Sequence, residues 1–412
     1  MKIIFIHQDG LLTGSAFSML NLIKGFKGKV EIHVVLADDG PYRKLLNDEG
    51  IESSICSFSR FWTFPGPKWY QRRAFFQLNA LFINPQIKKH ILNLQPDIIH
   101  LNDKACLQAG LSLKDSHIPI IQHLRSSYYP TNSWILKNLS NRSIKAYASA
   151  LIAISEDEAD GFDGDRRLSV IFNTVSMQHA EEAIRLRVMK RTELGIGSGE
   201  LVIGYAANLT KIKGAWDFLQ MAIALCQRCP DNKFRFVMVG NLPKTPKNPG
   251  RLVRWGIRKA EDPCITLERY QAEPLLQGKL EILGFRNDIL PLIAAMDILV
   301  VCTRLGVLGR QPFEAMAVKT PVVVASGHTR KSRIILHEKT GLVAPMKDLP
   351  GLIHAVDRLA ADSVLRQTLS ENGFEYARTS FNPEINSRKV LDLYNNLLKK
   401  RPHPTSLYGS EV

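Results

Sequence analysis

No run of about 18 apolar residues occurs anywhere in the 412-residue chain, so a membrane-spanning helix is not expected. A disulfide framework is equally unsupported. Cys56, Cys106, Cys226, Cys229, Cys264 and Cys302 follow no repeated spacing, and the one CxxC, "CQRC" at 226–229, lies in a predicted helix without a second Cys/His pair. Zinc and dithiol chemistry are therefore not expected, and no acidic metal motif is present. The amino end, "MKIIFIHQDG", carries one basic residue and too short an apolar stretch for a signal peptide, and reads as a first strand. A cytosolic protein is expected. Internal repeats and low-complexity tracts are missing as well.

Acidic residues are scarce, and their gaps are local. The formal charge is +15, and residues 53–96 hold no Asp or Glu but six Lys/Arg and nine aromatics, including "FWTFPGPKWYQRRAFF". Residues 116–155 are again free of acids and contain Arg125, Lys137, Arg142 and Lys145; a third basic tract is "KTPKNPGRLVRWGIRK", 244–259. Such a balance calls for an anionic partner. Interleaved rings and cations suit an anionic membrane surface, where a cytosolic protein would rest peripherally. A solvated basic face with its aromatics turned inward is the other reading of the same tracts. Nucleic acid is not the expected partner, since no recognition helix or stacking sheet accompanies the charge.

What the chain has in abundance is one pattern: a short apolar strand, a Gly/Asn/Asp turn, a helix, and another strand. "KIIFIHQ", "EIHVVLAD", "DIIHLN", "PIIQHLR", "ALIAIS" and "SVIFNT" fill the first half; "LVIGYAAN", "FRFVMVGN", "LEILGF", "DILVVC" and "PVVVAS" fill the second. Continuous apolar runs alternating with helices predict parallel sheets covered on both faces. The series breaks at 176–200, a polar and charged stretch that reads as a linker, and restarts at Leu201. An α/β chain of two doubly wound, Rossmann-like domains is expected, 1–178 and 179–381, facing each other across a cleft. A helix at about 382–401, opened by Asn382–Pro383, carries an apolar stripe that needs a surface to cover.

Three loops carry chemistry. After "DILVVC", the segment "TRLGVLGRQPFEA" places Gly309 and Arg310 ahead of a helix opened by Pro312. A helix start with a glycine and a guanidinium fork is an anion seat, and Glu314 could accept from vicinal ribose hydroxyls. In "IGYAANLTKIKGAWDFL", Lys213 and Gly214 open a helix after the first strand of the second half, so Lys213 could meet the same anion from the other side. "LGFRNDI" ends a further strand near Arg286, where backbone groups could read a nucleotide base. Each has a bland alternative: a solvated lysine, an arginine and glutamate that stabilise a helix start, a structural turn. His123, between "PIIQ" and "LRSS", could likewise be a buried imidazole satisfied by backbone.

In order along the chain, "TGSAFSMLNLIKGF", "PDIIHLND", "HLRSS", "LIAISE", "VIFNTV", "LTKIKG", "FVMVGN", "LGFRNDI", "GRQPFEAMAVKTPVVVAS" and "KTGLVAP" resemble the family 4 retaining glycosyltransferases of the GT-B fold, glycosyl transferases group 1. The likeness covers nearly the whole chain. It implies transfer of a sugar from a nucleotide diphosphate sugar to a glycan or lipid-linked acceptor, with retention, in polysaccharide or envelope glycan synthesis. The donor would lie in the second domain, the acceptor in the first, and the last helix would cross back to the first. By position, Lys213 and Arg310 would face the diphosphate, Glu314 the ribose, Gly14 the donor phosphate and His123 the transferred sugar. No metal or other cofactor is expected.

The chain also departs from that pattern. Counting back eight from Glu314 reaches Gly306, where the family carries the first of two glutamates, one that contacts the donor sugar. Asn208 stands in place of a phosphate-binding arginine, and "GHTRKSRII" replaces a segment that carries a further glutamate. Arg330, Lys331 and Arg333 are candidates to restore the charge lost at 208. These departures keep two other readings open: a non-catalytic GT-B nucleotide-binding or partner subunit, and another GT-B enzyme such as a sugar-nucleotide epimerase.

Overall fold

The apolar runs form two separate parallel sheets. The computed structural model describes residues 1–26, 28–61, 78–126, 134–242, 263–306, 308–327 and 332–399. The first sheet contains β1 (Lys2–His7), β2 (Glu31–Leu36), β3 (Glu52–Ile55), β4 (Ile98–Leu101), β5 (Ile120–Leu124), β6 (Ala150–Ala153) and β7 (Leu168–Val170), in the order β3-β2-β1-β4-β5-β6-β7. Alternate residues of β1 supply opposite faces: Ile4 and Ile6 join one apolar cluster, Ile3 and Phe5 another. That two-sided demand is why these strands are apolar throughout rather than alternating.

The second sheet contains β8 (Leu201–Ala206), β9 (Phe234–Val239), β10 (Leu280–Gly284), β11 (Ile298–Cys302), β12 (Val322–Ser326) and β13 (Leu342–Pro345), in the order β10-β9-β8-β11-β12-β13. Among the described residues the strand pairings in both sheets are parallel, so the doubly wound expectation is met. Two strands went unread in the sequence, β3 and β13. Both lie at the edge of a sheet; "ESSI" is polar at three of its four positions, and "LVAP" is a short run closed by a proline.

By compactness the chain divides into one unit of Met1–Thr174 with Pro383 onward and a second of Val175–Asn382. The helix Pro383–Lys399 belongs to the first. It buries Val390 and Tyr394 beside Phe26, and Ser387 sits so close to Gly25 that a Cβ there would lie 2.1 Å from the serine Oγ. Glycine at 25 is thus what lets the helix seat.

The stretch 176–200, expected as a linker, is largely helical, Met177–Arg185 and Arg187–Glu193. The cations of its second helix are engaged with the protein rather than with water. Lys190 Nζ reaches Glu193 at 2.5 Å and Asp288 at 2.8 Å, while Arg187 and Arg191 both hold Asp297, at 2.5 and 3.0 Å. Ala180 and Ala183 complete the packing. Composition alone could not separate an ion network from a solvated tether.

Candidate functional site

In a doubly wound sheet the strand order reverses at one place, and ligands settle at the carboxyl ends of the strands there. The reversal lies between β1 and β4 in the first unit and between β8 and β11 in the second. Each unit therefore offers its own site, and the two differ in chemistry.

In the second unit, β8 leads through Asn208 to a single 3₁₀ turn, Lys211–Lys213, whose cap is the Thr210 hydroxyl accepting from Lys213 N at 3.3 Å. Gly214 follows with φ +80°, and a Cβ there would stand 1.3 Å from the carbonyl oxygen of Cys302 at the end of β11. Only glycine lets this turn press against the neighbouring strand and begin the helix Ala215–Arg228. That contact carries Lys213 to the reversal point, where it lines one pocket with Tyr205, Ala207, Thr303, Gly309 and Gln311. Burial lowers the Lys213 pKa, and no carboxylate pairs with it among the described residues. A desolvated ammonium without a counter-charge costs stability and gains it back when an anion binds.

Arg310 and Glu314 face one another across the first turn of the helix Gln311–Ala317, with Pro312 at its second position; Arg310 Nε lies 3.0 Å from Glu314 Oε1. The glutamate is 8% exposed, so its carboxylate is held inside the site by the arginine rather than spread into solvent. Gly309 is tight against Gln311, whose Oε1 would lie 2.3 Å from a Cβ. Asn208 is exposed, and its carbonyl accepts from the Tyr205 hydroxyl at 3.0 Å.

Not every candidate is brought here. The Arg286 guanidinium binds Asp288 at 2.8 and 2.7 Å and Glu193 at 3.1 Å, and these acids, Asp288 first, raise its pKa. Its fork braces the segment that had been read as a linker. Arg333 is exposed, with its carbonyl accepting from Tyr376 at 2.6 Å; Arg330 and Lys331 fall outside the described residues.

In the first unit, Gly14 is the exposed first residue of the helix Gly14–Lys24, capped by the Thr13 hydroxyl accepting from Ala16 N at 3.3 Å. His123 lies on β5, buried, one residue beyond the Leu101–Gln122 register pair. Asn102 N bonds Ile6 O at 2.9 Å, which puts His7, Asn102 and His123 in one row across β1, β4 and β5. His123 Nδ1 is 3.1 Å from His100 Nε2 and 3.3 Å from Arg125 Nη2, and His100 Nδ1 is 2.6 Å from the Tyr394 hydroxyl. Burial, then Arg125, then His100 hold His123 well below the usual imidazole range, while burial, Arg125 and Arg60 push His7 down to about 3. The Nε2 atoms of His7 and His123 are buried without a hydrogen-bond partner.

His7, His100, Asn102 and Tyr394 were not singled out from the sequence, and Arg125 only as one cation of a basic tract. The available signal was an imidazole placed late in each of three largely apolar strands, "KIIFIH", "IIHL" and "IIQHL".

Two family models match without overlap: Glycosyltransferase Family 4 over residues 12–179 and Glycosyl transferases group 1 over 200–362. The chain is 29% identical over 182 residues to the lipopolysaccharide core biosynthesis glycosyltransferase LpsD of Rhizobium meliloti, covering 42% of this chain and 52% of that one. It is 24% identical over 234 residues to the Escherichia coli UDP-Gal:alpha-D-GlcNAc-diphosphoundecaprenol alpha-1,3-galactosyltransferase, covering 56% and 55%. The chain thus spans about half the length of these curated relatives. The crystal structure of Anabaena Alr3699/HepE in complex with UDP superposes with a TM-score of 0.76 at 21% identity over 96% of this chain and 100% of that one, a likeness of fold. With a family match on each unit, the protein belongs to the group 1, family 4 glycosyltransferases.

Proposed function

We propose that the protein transfers a sugar from a nucleotide diphosphate sugar to a hydroxyl of a glycan or lipid-linked acceptor, with retention at the anomeric carbon, in the synthesis of a surface polysaccharide or envelope glycan. One observation carries the reading: Lys213, desolvated and without a carboxylate partner among the described residues, lines a pocket with Gly309 at the reversal point of the second sheet. A diphosphate supplies the missing charge. As the bond from the anomeric carbon to the diphosphate breaks, negative charge grows on the leaving oxygen. A preorganised ammonium stabilises that charge more than it stabilises the intact donor. The acceptor oxygen bonds to the same face of the carbon, and its proton leaves with the diphosphate. Arg310 adds a second cation, Glu314 is the ribose acceptor, and Gly14 and His123 serve the donor from the first unit. Cations in these roles need no metal, so transfer is expected to survive EDTA.

Support for the chemistry also comes from the relatives. HepE was crystallised with UDP, and the E. coli relative is named for a UDP-Gal donor and a diphosphoundecaprenol acceptor. The test is a thermal-shift screen against UDP, GDP, ADP and their sugars, followed by a transfer assay with the donor that binds. Stabilisation by one nucleotide with transfer supports an enzyme. Nucleotide binding without transfer would favour the non-catalytic reading kept open by Gly306 and Asn208.

A membrane-resting acceptor fits the first unit. On the helix Trp134–Tyr147 the side chains of Trp134, Ile135 and Leu139 are exposed, Trp134 by 75%, and Lys145 sits in its last turn. Phe82 and Ile83 are exposed just before the helix Pro85–Asn93. Rings and cations of this kind suit an anionic interface. The basic and aromatic tracts at 62–76 and 244–259 lie outside the described residues. Sedimentation with anionic vesicles should carry the protein down, and a protein left in the supernatant would remove the membrane part of the proposal.

A further inference from the structure

Arginine can only donate hydrogen bonds, and a side-chain amide nitrogen can only donate, so a few contacts with Arg125 settle the protonation of its neighbours. Its Nε donates to Asn102 Oδ1 at 2.7 Å and its Nη1 to Asn173 Oδ1 at 2.7 Å. With the Asn102 oxygen turned to Arg125, the amide nitrogen faces His7 Nδ1 at 2.8 Å and must donate to it. The His7 proton then resides on Nε2. On the other side Arg125 Nη2 approaches His123 Nδ1 at 3.3 Å, so this atom is an acceptor and the His123 proton is also on Nε2. His100 Nε2, 3.1 Å from the same acceptor, must be a donor, which leaves His100 Nδ1 to accept from the Tyr394 hydroxyl at 2.6 Å. The directions close without conflict from Tyr394 to His123. All three rings are fully buried, and burial first, with Arg125 added, keeps them neutral.

We propose that Arg125 is a positioning residue that locks His7 and His123 in the same tautomer, so that each presents an Nε2–H donor at the reversal point of the first sheet and neither serves there as a base. Both Nε2 atoms are buried and unpartnered, and the closest acid to His7 Nε2, Asp9 Oδ1, stands at 3.8 Å, beyond hydrogen-bond reach. Such donors take oxygens with free lone pairs, as on the hydroxyls of a sugar. That use of them rests on the transfer reading above; the lock itself does not. The register supports a shared device, because His7, Asn102 and His123 form one row and Arg125 follows His123 by two residues on the same strand and its extension. Lysine at 125 could not imitate it, since one ammonium lacks the planar fork that meets three acceptors at once.

The experiment is long-range proton–nitrogen NMR on the full chain labelled at histidine nitrogens. The unmodified protein should show Nε2–H forms at His7, His100 and His123. Arg125→Met should produce mixed tautomers at His7 and His123 together. Asn102→Ala should disturb His7 alone, and Tyr394→Phe should leave both His7 and His123 as they were. If Arg125→Met does not fold, the contrast between the other two variants still decides the matter. An Nδ1–H form at His7 or His123 in the unmodified protein, or disturbance of His123 by Tyr394→Phe, overturns the proposal. So does persistence of both Nε2–H forms in Arg125→Met. These readouts need no substrate, so a failed transfer assay leaves them standing. Where transfer is measured, Arg125→Met should lower kcat by roughly 10- to 100-fold with donor KM within about twofold, since it misdirects a donor without removing a nucleotide contact. Equal loss in both parameters contradicts the positioning role.

Discussion

The two reversal points use the same topology for opposite electrostatics. In the second unit a cation is left desolvated and unpaired among the described residues, and the site waits for an anion. In the first, burial and an arginine keep three imidazoles uncharged, and the site offers oriented dipoles. One architecture thus separates charge stabilisation from hydrogen-bond orientation, because each sheet places its ligand at strand ends while the residue types there remain free to vary. Sugar transfer from a nucleotide needs both, a seat for the departing diphosphate and fixed contacts that aim a neutral ring.

The sharpest way to break this contrast is at Lys213. Lys213→Met should lower kcat/KM by about 10²- to 10³-fold, since in the proposed function it removes the charge set against the leaving diphosphate. Steady-state transfer kinetics would read the loss, and a fall of less than about threefold would end the division of labour. Next comes the pair of glycines that open the first helix after β1 and after β8. Gly214→Ala forces a side chain into the Cys302 carbonyl at φ +80° and should destabilise by about 3 kcal/mol. Gly14→Ala, exposed at an ordinary helix start, should stay within about 1 kcal/mol. Chemical denaturation of both variants compares them directly.

Third is His123→Phe, expected to reduce kcat roughly 10- to 100-fold while UDP affinity changes by no more than about twofold. Calorimetric titration beside kinetics separates the two, and an equal loss of binding would move His123 from the sugar to the nucleotide. The smallest expected effect concerns pH. His7, His100 and His123 have folded pKa values below the ordinary 6.5, so the unfolded chain takes up protons first as pH falls below that value. The stability these histidines contribute to the first unit is therefore full above pH 6.5 and declines below it. Glu158, raised by burial to about 7, opposes the decline over part of the window, because its folded form prefers the proton. His33, lowered by burial, adds to the decline, while Asp9 and Asp103, raised by burial, join Glu158 in opposing it, so the net change is a modest loss as pH falls from 6.5 to 5. Hydrogen exchange at pH 7 and pH 5 should show protection falling in Met1–Thr174 more than in Val175–Asn382, whose described residues include no buried histidine. Equal loss in both units would contradict it.

Much of the fold was legible in the sequence, because a parallel strand covered on both faces must be apolar through its middle, as "ILVVC" of β11 and the "IIFI" of β1 are. Of the two strands that escaped notice, β3 is a largely polar edge and β13 a short run closed by a proline, and the stretch taken for a linker is a place where charges meet charges. Of the site, Lys213, Gly214 and Gly309 could be found because a helix start at the end of a strand is a local pattern. At Arg286 the ion pairs were only half legible: its carboxylate partner at 288 is local, but Glu193 lies far back in the sequence, in the supposed linker. The row of His7, Asn102 and His123 was invisible in one dimension, being assembled by register between strands far apart in sequence.

The helix Pro383–Lys399 has a bearing on biosynthesis. It lays Val390 and Tyr394 into the core of the first unit, yet it is translated only after the whole second unit has left the ribosome. The first unit must therefore wait, its apolar groove beside Phe26 and its His100 Nδ1 unserved, until some two hundred later residues have been made. Chaperone demand during synthesis should fall on that groove, and a fragment ending at Thr174 should carry it permanently open.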